Sequence, residues 1–142
     1  MFSTSQLATL HSLMDRIIPP DQDVGAWEAG VGDYLTRQLN GDLRAELPTY
    51  QAGLEALDVE AQAGAQTSFA ALPAAEQDAL LHRIEAGKVT HAWSIDPAQF
   101  FQMVVQHVAE GYYSDPGNGG NRNGAAWQMI GYLPGRPEDT LK

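Results

Sequence analysis

Cysteine is absent from this chain. That absence removes disulfides, thiolate nucleophiles, zinc ribbons and iron–sulfur ligation from what the protein can do alone, and leaves the redox compartment open. Positive charge is scarce as well: 8 Lys and Arg stand against 18 Asp and Glu, a formal net charge of −10. The basic residues are scattered without a run, which excludes a nucleic-acid footprint and a polybasic membrane anchor. No stretch approaches the ~20 consecutive apolar residues of a membrane span, so no direct membrane insertion is expected. Walker A, HExxH and GxSxG sequences are all missing, and with them the phosphate-cradling, zinc-protease and serine-hydrolase sites those patterns build. Gly117-Asn118-Gly119-Gly120 is glycine-rich, but no strand precedes it, so it lacks the strand-turn-helix setting of a dinucleotide site.

The 142 residues, 44% of them hydrophobic, suit a single helical domain, 1–142. We divide it into a bundle (1–111), an aromatic and glycine-rich docking loop (112–135) and a polar tail (136–142). The predicted fold class is all-α: an irregular bundle of about five helices with a Gly/Asn/Trp-rich C-terminal loop as its cap. The opening MFSTSQLATLHSLMDRIIPP has no basic n-region and no small-residue cleavage site, so it reads as a first helix, Thr4 to Ile18, rather than a signal peptide. Leu7, Leu10, Met14 and Ile17 form its apolar stripe, and Pro19-Pro20 stops it. A second helix is expected from Gly25 or Ala26 to Gly41, with Trp27, Val31, Tyr34 and Leu35 on one face. Gly30 and Gly32 weaken that helix unless something packs closely there. A third, about Asp42 to Ala63, carries Leu47, Tyr50, Leu54, Leu57 and Ala61, with Pro48 marking a break into a turn and a longer helix. Gly64–Ser68 is read as a linker. A fourth helix follows Leu72-Pro73 and ends at Gly87, and 88–95 is ambiguous. Asp96-Pro97 is an N-cap with proline at the first helical position. It opens a fifth helix with Phe100, Phe101, Val104, Val105 and Val108, ending at Gly111.

After Gly111 the composition changes. Residues 111–135 hold half of the 14 glycines, three of the five tyrosines and one of the three tryptophans. Asp115-Pro116-Gly117 with Asn118, Asn121 and Asn123 is turn chemistry. A merely solvated loop has no need of Tyr112, Tyr113, Trp127 and Tyr132. Such aromatics either fold the loop back onto the helices or anchor a partner. A calcium site would need several spaced oxygen ligands, and Asp115 is the one carboxylate here. His107 and Glu110 share a face of the fifth helix. They supply an alternative reading, a stand-alone metal-binding or small-ligand-binding helical protein, against a plain hydrogen-bonding or capping role.

Glu110-Gly111-Tyr112-Tyr113-Ser114-Asp115-Pro116, then Gly119-Gly120-Asn121, then Trp127-Gln128-Met129-Ile130-Gly131-Tyr132 resembles the signature of the gluconate 2-dehydrogenase subunit 3 family. Asp15-Arg16-Ile17-Ile18-Pro19, Gly25-Ala26 with Ala29-Gly30-Val31, Phe69 with Leu72, and Gln77 with Leu80-Leu81 are similar to the rest of that family's pattern. The resemblance implies a non-catalytic accessory (small) subunit of a sugar or polyol dehydrogenase complex. It would bind and stabilise a large catalytic subunit of the FAD-dependent glucose-methanol-choline (GMC) oxidoreductase type, often alongside a cytochrome c subunit. It implies no catalytic, cofactor-binding or metal residues in this chain, with the FAD in the partner. The partner-binding candidates are Tyr112, Tyr113, Asp115, Gly119, Gly120, Asn121, Trp127 and Tyr132. Many members carry a twin-arginine leader; with none read here the chain is expected to be cytoplasmic as written, or periplasmic if exported with its partner or if a leader was removed.

Overall fold

The structure, a computed structural model, describes residues 1–20 and 24–114. Over these residues it is all-helical, with five α-helices and two 3-10 turns, as expected from the periodicity. Helix α1 spans Thr4–Ile17 and opens on a capping box: Ser3 Oγ accepts from the Gln6 amide at 3.1 Å, and Gln6 Oε1 accepts from the Ser3 amide at 2.9 Å. Its buried residues are Thr9, Leu10, Leu13 and Met14. Leu7, assigned to the stripe from sequence, is instead 41% exposed, because the buried face turns one position toward Leu13.

Helix α2 is shorter than expected. It spans Val31–Leu39, and 25–30 folds as turns that bring the Val31 amide onto the Ala26 carbonyl at 3.1 Å. Gly30 causes the delay: its φ of 94° is left-handed, a conformation that glycine takes without penalty and that cannot continue a right-handed helix. The close packing expected near Gly32 is present, since a Cβ there would fall 2.7 Å from the Trp27 ring.

A 3-10 turn at Arg44–Glu46 leads into α3, Leu47–Ala65, with Pro48 in its first turn. Helix α3 runs through Gly64, so the linker begins two residues later than read, at Gln66, a non-glycine residue with φ of 57°. A second 3-10 turn, Phe69–Ala71, precedes α4, Ala74–Glu85, which is followed by Gly87 at φ 77°. Helix α5 spans Pro97–Tyr112 and is capped by Asp96, whose carboxylate accepts from the Gln99 amide at 3.0 Å.

Leu10, Leu13, Met14, Leu54, Leu57, Phe69, Val104 and Val108 meet in one core. Polar ties fasten α1 across it. Thr9 Oγ1 lies 3.0 Å from the Asp58 carboxylate of α3, which also accepts from the Phe69 amide, and Arg16 Nε lies 2.9 Å from Asp78 of α4. Helices α3 and α5 lie antiparallel, Tyr50 meeting His107 and Gly53 meeting Phe100. Among the described residues no helix is long and apolar enough to cross a membrane.

Candidate docking site

The C-terminal end of α5 carries the described part of the segment read from sequence as a docking loop. Tyr112 is buried, 1% exposed, and its hydroxyl donates to the Val24 carbonyl at 2.6 Å. A tyrosine buries a large ring and still needs a partner for its hydroxyl, and this contact supplies both. It ties the last turn of α5 to the segment between α1 and α2. Tyr113 stands edge-on to Tyr112, ring centroids 5.1 Å apart at 82°, and is partly exposed. Ser114 closes the helix by donating from Oγ to the Gly111 carbonyl at 2.9 Å. Of the residues assigned to docking from sequence, Tyr112 is buried inside this chain, whereas Tyr113 is partly exposed. Asp115, Gly119, Gly120, Asn121, Trp127 and Tyr132 lie outside the described residues.

His107 and Glu110, grouped from sequence as a possible ligand pair, are engaged by different hydrogen-bond partners. His107 is buried and shares a 2.8 Å hydrogen bond through Nδ1 with the buried Tyr50 hydroxyl. Glu110 is exposed and accepts from Gln106 Nε2 at 3.2 Å. Burial pushes the His107 pKa down, against the opposing pull of Glu110 and Glu46. Burial pushes Tyr50 up, and Glu46 and Glu110 add to that. The result is a neutral pair inside the α3–α5 seam. Tyr34, over Gly111, is also raised, by burial first and by Glu110 second. Among the described residues no group of three or more His, Asp or Glu converges in a way that would hold a metal ion.

A second polar centre escaped the sequence reading. Glu60 of α3 is 1% exposed, and the ambiguous segment 88–95 folds around its carboxylate. Thr90 donates from its amide at 3.0 Å and its hydroxyl at 2.9 Å, the His91 amide lies at 3.3 Å and Trp93 Nε1 at 3.1 Å, and His91 Nδ1 makes a closer contact still. Burial alone would raise the Glu60 pKa, but the hydrogen bonds from Thr90, Trp93 and His91 outweigh it and hold the pKa below the ordinary value. One sequence signal for this centre exists. Tyr50, Gly53, Leu57 and Glu60 follow the 3-4-3 spacing of a buried helical stripe, and a glutamate in that phase demands donors from elsewhere.

The sequence profile of the family described as Gluconate 2-dehydrogenase subunit 3 matches residues 4–135 of the chain. No curated protein and no solved structure matches it.

Proposed function

Because this chain belongs to the gluconate 2-dehydrogenase subunit 3 family, we propose that it is a non-catalytic accessory subunit. In this reading it binds and stabilises the FAD-dependent, GMC-type catalytic subunit of a sugar or polyol dehydrogenase complex. The observation that carries the reading is the extent of the family match, which takes in all five helices of the described residues and nearly all of the aromatic C-terminal segment. The described geometry supports it. Among the described residues, the buried Glu60 is engaged by the 88–95 segment and the buried His107 by Tyr50. A side chain whose reactive atom already holds a structural hydrogen bond inside the core is badly placed for general acid–base work on a substrate. The FAD belongs to the partner, as does any transfer of electrons to a cytochrome c subunit, and the compartment follows the partner.

The same reading assigns docking to the segment that begins at Tyr113, with Trp127 as its main anchor and Asp115, Gly119, Gly120, Asn121 and Tyr132 around it. The buried Tyr112 holds the base of that segment against Val24. Purification of the tagged chain from its native cells should bring down a large subunit with flavin absorbance. Trp127→Ala should weaken that association by about thirtyfold or more, the scale of an interface hot spot. Circular dichroism of the variant should remain that of the folded helices. A colourless, monomeric wild-type chain would remove the accessory reading. An unweakened complex with Trp127→Ala would remove the anchor assignment alone.

The metal-binding alternative gains nothing from the described residues, since His107 Nδ1 is engaged by Tyr50 and Glu110 accepts from Gln106.

A further inference from the structure

A groove beside Trp27 is walled by Glu28 and Asp33 and is mostly polar; three less polar grooves differ in how their charges are matched. The groove between α3 and α4 is lined by Arg83 as well as by Glu60 and Glu76. The one between α1, α4 and α5 is lined by the Arg16–Asp78 pair, 2.9 Å apart, and by His82 and Glu85. Both carry acids and bases together. The third, about 480 Å³, lies along the α3–α5 seam and has no base on its walls among the described residues. Its apolar floor is Ile95, Phe100 and Met103, and its acidic residues are Glu46 and Asp96. Phe100 is fixed by its T-shaped contact with Tyr50, ring centroids 6.1 Å apart. Ile95 is carried by the segment that Glu60 organises, two residues after Trp93. Ile95 and Met103 remain only partly buried.

We propose that this α3–α5 groove is a second docking site, taking a segment of the catalytic partner that presents one aliphatic or aromatic side chain flanked by Lys or Arg. The inference rests on the accessory-subunit reading and adds a surface and a partner chemistry to it. Charge complementarity selects the occupant. Among the described residues, Glu46 and Asp96 meet no Lys, Arg or His on the groove walls, in a chain whose net charge is −10. A basic partner side chain therefore gains attraction here that the self-matched grooves do not offer. Preorganisation adds to it. A wall held by a buried carboxylate does not have to be ordered when the partner arrives, which lowers the cost of binding.

The test uses the wild-type complex with its flavin-bearing subunit, and full-length variants of this chain. Met103→Asp places a carboxylate on the apolar floor and should weaken the complex by about thirtyfold. Glu46→Lys should weaken it by about tenfold at low salt, and the loss should shrink as salt rises. Val59→Asp, at a site 47% exposed and away from the groove, should leave affinity unchanged. Melting curves of each isolated variant identify any that fail to fold. A photo-cross-linking residue at position 103 supplies a readout that does not depend on the substitutions. A cross-link to a Lys- or Arg-containing peptide of the catalytic subunit supports the proposal. A cross-link to residues 115–142 of this chain, or to a second copy, overturns it. So does an intact complex with no cross-link and with undiminished affinity in both groove variants. If the wild-type chain forms no complex at all, the accessory reading fails first and the groove proposal falls with it.

Discussion

Glu60 and His107 are both buried polar side chains on the α3–α5 pair, and they are handled in opposite ways. At Glu60 a charge is kept. Five N–H and O–H groups from Thr90, His91 and Trp93 converge on one carboxylate, and a segment with no regular structure is organised as a result. At His107 the charge is discarded: burial favours the neutral ring, and a single hydrogen bond to Tyr50 satisfies Nδ1. On α3 the two centres are marked by Tyr50, the partner of His107, and by Glu60, ten residues apart or about 15 Å along the helix. A buried charge is tolerated where it has enough donors to replace its water, and those donors must come from chain that is then no longer free to move. A neutral pair makes no such demand and organises nothing beyond its own contact. The Glu60 centre is thus a structural device for placing 88–95, and the His107 centre is a modest tie between two helices.

The strongest way to break this contrast is to remove the carboxylate. Glu60→Ala leaves the amides of Thr90 and His91 and the Trp93 indole without their acceptor inside the fold, and should destabilise the protein by about 3–5 kcal/mol. Chemical denaturation would read this as a lowered midpoint, and hydrogen exchange should show 88–95 losing protection first. A loss below about 1 kcal/mol would mean that water replaces the carboxylate readily and that the segment is held by packing. Next in size is Gly53→Ala, placed between the two centres. Its Cβ would sit 2.2 Å from Phe100 Cε1, so the ring or the helix must move, at about 1–3 kcal/mol. Phe100→Leu in the same chain should return part of that loss, since the two changes act on one contact. Independent, additive losses would show that the seam is looser than the antiparallel α3–α5 contacts imply.

Much of the fold is legible in the sequence because its boundaries carry their own chemistry. Pro19-Pro20 cannot continue α1, Asp96-Pro97 caps and starts α5, and Gly87 takes a left-handed turn after α4. The late start of α2 is less legible. Gly25-Ala26-Trp27 has helical spacing of its apolar groups, and only the left-handed Gly30 settles that the stretch turns instead. Tyr112 shows a different limit. An aromatic at a helix end suits either a core or an interface, and the choice rests on the Val24 carbonyl, a long-range contact that no local pattern encodes. Segment 88–95 reads as ambiguous because its order is likewise borrowed, from a glutamate thirty residues earlier.

Acid titration sharpens the contrast at the smallest energies. The folded pKa of His107 lies below its ordinary value of 6.5. Above 6.5 folded and unfolded chains both hold it neutral and its contribution is intact. As pH falls below 6.5 the unfolded chain takes up a proton that the folded chain resists, and stability declines until the folded pKa is passed. The folded pKa of Glu60 lies below 4.5, so its contribution is intact above 4.5 and is lost only as pH falls from there through the folded value. The two centres should therefore weaken in separate windows, His107 first. His107→Gln keeps an acceptor for Tyr50 without a titrating ring, and should cost about 1 kcal/mol at neutral pH. The variant's melting temperature should fall less than the wild type's between about pH 7.5 and about pH 5.5. Comparing the two proteins cancels every pH dependence that they share. Equal slopes would mean that the folded chain admits the proton at His107, and that the neutral pair is as open to water as the surface.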